Sequence, residues 1–216
     1  MKIFIAIPTQ GMVSAEFNAA LINFIRNPPV RYRMSVCRSP GVGISRNILT
    51  DEFLASDADK LLMIDSDILF TPEHVGRISS HDEHIVGGLY AKKEKEGRVC
   101  CERLPEISPE PDERGLIPLR YIGTGFMCAT RELLNKMIRY YPEMTYFREG
   151  SGKKMHDFWT VGVHQGSKRY LTEDWWMCQR TIELGLPVWG DQQVMLQHEG
   201  RAIYPLELNE QPEVSA

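Results

Sequence analysis

The chain has 216 residues, enough for one sizeable α/β core and, on usual domain sizes, one domain over residues 1–205 followed by a polar tail over 206–216. A formal net charge of −4 excludes the broad cationic face with which proteins hold nucleic acid or an anionic membrane, while single basic groups remain free to bind phosphate. The five cysteines, with Cys100 and Cys101 adjacent, suit neither a disulfide framework nor a C-x-x-C zinc knuckle and are expected to be reduced core filling. The apolar run before Pro8 is too short for a signal peptide, and no segment nears the roughly 18 apolar residues of a spanning helix, so a cytoplasmic protein without a membrane span is expected.

"KIFIAI" reads as a strand covered on both faces, and Pro8 to Gly11 turn the chain. Ser14 caps a helix with Phe17, Leu21, Phe24 and Ile25 on one face, ended by "NPP". "RYRMSVC" is a second strand. A helix from about Ser45 stacks Ile44 with Ile48 and Leu49 with Phe53, and "LLMI" makes the third strand. Thr71 and Pro72 form a cap-plus-first-residue signature for another helix. "HIVGGLY" and "YIGTGFMCA" read as strands, and the Pro- and acid-rich "LPEISPEPDERGLIP" as a surface loop. Thr130 opens a helix with Leu133, Leu134, Met137, Ile138 and Tyr141 on one side, and "REGSGKKMHD" is a polar loop. "TEDWWMCQRTIELG" is a last helix stopped by Gly185, followed by short strands "PVW" and "VML". Strands alternating with helices predict a mostly parallel central sheet flanked by helices, whose ligands sit beyond the carboxyl ends of the strands.

At such an end stands "LLMIDSDILFTPEHV", where Asp65 and Asp67 follow four apolar residues. Hard oxygen donors spaced i, i+2 on an extended turn can converge on Mg²⁺ or Mn²⁺, which fills its remaining positions with substrate phosphates and water. The plainer alternative is that the two aspartates shape a turn or cap the next helix.

"PGVGISRNILTDEFLASDADKLLMIDSD" resembles the central signature of the family 2 glycosyltransferases with the GT-A fold: a glycine turn, Arg-Asn, a helix, an apolar strand and D-x-D. "GTGFMCATRELL", "YLTEDWWMCQRTIELGLPVWGD" and "LQHEG" follow in the order of that family's Gly-rich acceptor segment, Glu-Asp helix and late histidine, so the resemblance spans about residues 2–200. The compact size is similar to that of virus- or phage-encoded members, which would put the protein in a host cytoplasm. The resemblance implies the GT-A (nucleotide-diphospho-sugar transferase) fold and a metal-dependent transfer, with inversion, of a sugar from a UDP- or GDP-type donor to a hydroxyl of a glycan or protein-linked glycan. It implies Asp67 and His198 as ligands of Mn²⁺ or Mg²⁺, with Asp65 reaching the ion through water or binding the donor's ribose. It implies Asp174 as the general base, with Glu173 as competitor. For both acids the alternative is helix capping, since the dipole favours acids at an N-terminus and keeps them ionised.

Thr9, Gln10 and Ser66 are placed to hydrogen-bond the donor, and Arg38 or Arg46 to reach its ribose or diphosphate with a planar fork. Tyr90 and Lys92 follow a strand end and would line the same pocket, whereas "KKEKEG" beyond is a solvated loop. Gly123 and Gly125 would let a sugar approach the backbone, or else mark a bulge, and of Trp175 and Trp176 one packs in the core while the other offers an acceptor-stacking face. The segment from Gly150 to Arg169 is either a flap closing over the donor or an ordinary loop. "SVCRSP" lacks the acid with which many relatives recognise uracil, so the base is left open. Phosphotransferases of the haloacid dehalogenase type want Thr or Val where Leu69 stands, and sugar nucleotidyltransferases want a Gly-rich loop with Arg where "PTQGMV" stands. A retaining transferase or a non-catalytic sugar-nucleotide-binding module on the same fold are the remaining alternatives.

Overall fold

The computed structural model describes residues 1–94, 97–104 and 110–200 and the backbone of 203–204. Strand β1 (Lys2–Thr9) alternates strictly, sending Ile3, Ile5 and Ile7 to one face and Phe4 and Ala6 to the other. Helix α1 (Ala15–Arg26) starts where Ser14 Oγ accepts from the Phe17 N–H at 2.9 Å, and it buries Phe17 and Phe24; Ile25, expected on that face, is 47% exposed. Strand β2 (Arg31–Arg38) is an edge, blunted by exposed Arg31 and Arg33. Helix α2 (Val42–Leu54) begins three residues before the predicted Ser45 and buries Leu49 and Phe53, while Ile44 is 56% exposed. Strand β3 (Lys60–Ile64) leads through Asp65–Asp67 to the two-residue β4 (Ile68–Leu69), and Thr71 caps α3 (Pro72–Ser80) with Pro72 at its first position.

Strands β5 (Ile85–Tyr90), β6 (Cys101–Arg103), β7 (Leu116–Ile122) and β8 (Phe126–Thr130) follow, with no helix between them among the described residues. "YIGTGFMCA", expected as one strand, is therefore the end of β7, a turn at Gly123–Gly125, and β8. Thr130 caps α4 (Arg131–Tyr140), with Oγ1 accepting from the Leu133 N–H. Short pieces β9 (Thr145–Phe147), β10 (Lys154–His156), β11 (Gly162–Val163) and β12 (Tyr170–Leu171) form two small hairpins before α5 (Glu173–Glu183), which Gly185 ends at φ 74°. "PVW" and "VML" belong to one strand, β13 (Val188–Glu199), which pairs with β14 (Ile203–Tyr204). Its polar middle is held by long-range partners: fully buried Asp191 accepts from Arg77 Nη2 at 3.0 Å and pairs with His81 Nε2 at 2.8 Å, and the register against β5 shifts there.

Among the described residues the sheet has ten strands, with the path β2-β1-β3-β8-β5-β13-β7-β6 and with β4 and β14 on β13. It is mixed, correcting the mostly parallel expectation. The pairs β1/β2, β1/β3 and β5/β13 are parallel, whereas β8 runs antiparallel to β3 and β5, and β7 antiparallel to β13 and β6. Among the described residues no helix separates β5, β6, β7 and β8, so none of them is joined to the next by the helical crossover usual for a parallel pair. One face of the sheet is packed by residues of α2, α4 and α5, including Phe53, Leu133 and Met177, the other by residues of α1 and α3, including Phe17, Phe24 and Val75. The polar loop expected around Leu104–Pro118 lies partly, and the tail over 206–216 wholly, outside the described residues. Among the described residues no helix is long and apolar enough to cross a membrane.

Candidate functional site

A cleft of about 440 Å³ opens where β1 and β3 end, beside the start of α2, lined by Thr9, Gln10, Met12, Ser39, Val42, Ser45, Asp65, Ser66, Asp67, Lys93 and Glu199. Its floor follows from chain direction. Parallel β1 and β3 both point their carboxyl ends here, so the turns after them converge. Thr9 Oγ1 accepts from the Gly11 N–H at 3.1 Å; Gly11 adopts φ 131°, and a Cβ there would lie 2.9 Å from Arg38 Nε, so exposed Arg38 packs on this turn. The Asp65 N–H donates to Gly125 O at 2.9 Å, and the Ile68 N–H to Asp65 O at 3.1 Å, closing the D-x-D turn. Strand β4 then pairs antiparallel with β13, Ile68 opposite His198, and the Glu199 N–H donates to Asp67 O at 2.8 Å. That pairing brings a histidine 131 positions away to the second aspartate.

The two aspartates have different environments. Both Asp65 oxygens accept from Arg46 Nη2, at 2.8 and 3.0 Å, and Arg46 Nη1 donates to Glu173. Burial opposes the charge of Arg46, which is 3% exposed, but Asp65 and Glu173 override it and keep the guanidinium protonated. Arg46 thus ties the D-x-D turn to α5 from inside, instead of reaching into the cleft as the sequence suggested. Asp67 accepts from Lys93 Nζ at Oδ2, 2.5 Å, while its buried Oδ1 has no hydrogen-bond partner and lies 3.6 Å from His198 Nε2. His198 Nδ1 is 2.8 Å from Ala91 O, and a carbonyl only accepts, so Nδ1 carries the hydrogen. A neutral ring then points its Nε2 lone pair at Asp67 Oδ1, two acceptors face to face. Such a pair needs a cation between its members or a proton on the ring, and a carbonyl-oriented imidazole is the usual metal-ligand tautomer. Burial works against the charge of Asp67, but His198 and Lys93 outweigh it and hold the carboxyl below the usual carboxylate range.

This donor set fits a hard divalent ion of the Mg²⁺ or Mn²⁺ kind, which takes few protein ligands and completes its shell with phosphate and water. Among the described residues no group of three or more His, Cys, Asp or Glu side chains is arranged to hold a metal, and Asp65 is engaged by Arg46.

Asp174, in the first turn of α5, accepts at Oδ1 from the Trp175 N–H at 2.8 Å and from the Thr172 hydroxyl. Burial raises its pKa and neighbouring Glu173 adds to this, against the lowering pull of Thr172 and Arg46. Burial thus works against the ionisation that the helix dipole favours, which makes the carboxylate a stronger base. Glu173, the competing candidate, is committed to Arg46.

Tyr90 lies beneath the site instead of lining it. Its hydroxyl accepts from the Gly125 N–H at 2.9 Å, its ring meets His198 edge-on at 5.2 Å, and burial holds the phenol neutral. A Cβ on Gly123 would stand 2.2 Å from Tyr90 Oη, and one on Gly125 2.7 Å, so both glycines make room for Tyr90. Lys92 is not among the residues lining the cleft. Trp175 stacks on Tyr121 at 4.8 Å with Arg169 over both rings, and Trp176 Nε1 donates to Gly162 O at 3.3 Å beneath Arg180, so protein groups engage both tryptophans. The stretch from Gly150 to Arg169 is pinned to α2: Asn47 Nδ2 donates to Asp157 Oδ1 at 2.7 Å, and Asn47 Oδ1 accepts from the Phe158 N–H at 2.9 Å.

The sequence reading did not single out Lys93 and Glu199. Glu199 neighbours the late histidine and has a buried Oε2 without a hydrogen-bond partner, and Lys93 stands three residues past the end of β5; the pairing of β13 with both β4 and β5 brings them to the cleft.

No protein-family model and no curated protein matches the chain. Among solved structures it is similar to A197 from STIV, at TM-score 0.57 and 17% identity, covering 100% of this chain and 98% of that one. Two further structures overlap less: a glycosyltransferase involved in the glycosylation of the major capsid of PBCV-1 (TM-score 0.37, 10% identity, 69% of this chain and 68% of that one) and S. aureus TarS 1–349 (TM-score 0.36, 17% identity, 71% and 52%). The likeness to A197, at that identity, is one of fold: an α/β chain with a central mixed sheet between helices.

Proposed function

We propose that this chain is a metal-dependent GT-A glycosyltransferase that moves a sugar from a nucleotide diphosphate donor to an acceptor hydroxyl with inversion. The observation that carries the reading is the approach of Asp67 Oδ1 to His198 Nε2 at 3.6 Å, with His198 Nδ1 held by Ala91 O, at the carboxyl ends of the parallel strands. Asp67 and His198 would hold Mn²⁺ or Mg²⁺, with Asp65 contributing through water. The ion supplies Lewis-acid stabilisation of the negative charge that develops on the leaving diphosphate. Thr9, Gln10 and Ser66 offer hydrogen-bonding groups to the nucleoside and ribose, and Arg38 stands at the mouth beside them. Asp174 takes the proton of the acceptor hydroxyl as that oxygen attacks the anomeric carbon, a task for which its raised pKa suits it. Arg46 fixes the distance between the D-x-D turn and the helix bearing the base. The donor sugar is of UDP or GDP type and the acceptor a glycan, free or protein-linked.

The test is nucleoside diphosphate release from a panel of UDP- and GDP-sugars with Mn²⁺ and oligosaccharide acceptors. Acceptor-dependent release that Asp174→Asn abolishes without loss of donor binding supports the reading. Release from no donor, or full activity in Asp174→Asn, contradicts it.

A further inference from the structure

We propose that Lys93 is a placeholder cation: it neutralises Asp67 while the divalent ion is away, and passes to the donor's diphosphate when the ion takes Asp67. This rests on the reading of Asp67 and His198 as the ion-holding pair.

Among the described residues Lys93 is the one cationic side chain lining the cleft, where it faces Asp65, Asp67 and Glu199. Asp65 is already neutralised by Arg46, so the free cleft sets Lys93 against Asp67 and Glu199. A nucleoside diphosphate adds at least two negative charges, and an ion shared with Asp67 leaves part of them unmatched. Lys93 is the group at hand to match them.

Geometry points the same way. Lys93 Nζ takes Oδ2 of Asp67 and leaves Oδ1 facing His198, so the carboxylate stays aimed and ionised beside its fellow ligand. One turn manages both ligands: Ala91 O orients His198, and Lys93, two residues on, holds Asp67. The backbone of that turn is tied, with Ala91 bridged to Val99 and the Lys92 N–H donating to Arg98 O at 2.7 Å. Exchange therefore falls to the lysine side chain, 36% exposed on a flexible four-carbon stem, which can swing its ammonium several ångströms with the backbone fixed. Arginine, with its rigid bidentate fork, would grip Asp67 and compete with the ion.

The test uses Lys93→Met, which keeps the stem and removes the charge, beside Lys136→Met on α4 as a control for losing one positive charge. Mn²⁺ binding is read first without nucleotide, from the electron paramagnetic resonance of free Mn²⁺. UDP and GDP binding is then read by calorimetry at saturating Mn²⁺. Lys93→Met should bind Mn²⁺ up to about five-fold tighter, because the ion no longer displaces an ammonium from a partly exposed pair. It should bind the preferred nucleoside diphosphate at least about ten-fold more weakly, having lost a charge-assisted contact. Lys93→Met matching the control in Mn²⁺ affinity, or matching wild type in diphosphate affinity, overturns the proposal while the transferase reading stands. Wild type that takes up neither Mn²⁺ nor diphosphate fails at the transferase reading itself and carries this inference down with it.

Discussion

Replacing Arg46 with Met isolates the tie between the D-x-D turn and α5. The wild-type guanidinium side chain is 4% exposed and neutralises Asp65 and Glu173, themselves 28% and 15% exposed. Methionine fills much of the space but strands both carboxylates close to Asp174, whose own pKa Glu173 already raises. Removing one partner of a buried ion pair costs about 3–5 kcal/mol, and the partial exposure of Asp65 argues for the lower end. At about 3 kcal/mol, a chain of this size loses roughly 6–12 °C in Tm. Urea unfolding of Arg46→Met, Glu173→Gln and the double variant closes a cycle in which the double variant should be more stable than Arg46→Met alone, since one stranded charge has gone. Arg46→Met within about 1 kcal/mol of wild type, or a double variant less stable than the single, refutes the reasoning.

Gly123→Ala should cost about 1–3 kcal/mol through overpacking, because its methyl meets Tyr90 Oη at 2.2 Å and Cys100 Sγ at 2.7 Å. Combined with Tyr90→Phe, it should cost less than the sum of the two singles in urea unfolding; an additive pair would place the strain elsewhere. The pH profile of kcat/KM should lose activity on its acid side above the ordinary aspartate range near pKa 3.9, because burial raises Asp174 and the base form is lost earlier as pH falls. Stability moves oppositely. With the folded pKa above the unfolded one, the folded state binds the proton more tightly, so the stabilising contribution of the acid form is complete below the unfolded pKa and disappears as pH rises through the folded one. Wild type should therefore gain on Asp174→Asn in unfolding free energy as pH falls through that window, and a flat difference would contradict the raised pKa.

Local chemistry made much of the framework readable. Ser14, Thr71 and Thr130 cap helices with side-chain oxygens as their positions suggest, Gly185 ends α5 in a left-handed turn, and the apolar β3 delivers Asp65 and Asp67 to the sheet's carboxyl edge. What failed was set by distant partners. Strand direction after β5 depends on which neighbour β8 joins, and nothing within β8 specifies that. The polar "GDQQ" looked like a break in the last strand because the ion pairs burying Asp191 come from Arg77 and His81, over a hundred residues earlier. Arg46 read as a donor-binding arginine because Glu173, its second partner 127 positions away, reaches it only once the fold brings the first turn of α5 to it. Lys93 went unread because a lysine in a run of charges resembles solvated surface until β4 and β13 bring Asp67 and His198 beneath it.

The most direct test of the central claim is thermal unfolding of wild type and Asp67→Ala with UDP, GDP and their sugar conjugates, each with and without Mn²⁺. A ligand that binds only the folded state raises stability by about 2.7 kcal/mol at a hundred times its dissociation constant, or roughly 5–11 °C for a chain of this length. Such a rise is expected for one nucleotide class in wild type only when Mn²⁺ is present, and is expected to be lost in Asp67→Ala. A rise independent of the metal, one that survives in Asp67→Ala, or none from any nucleotide would contradict the assignment of Asp67 and His198 as the ion-holding pair of a sugar-nucleotide site.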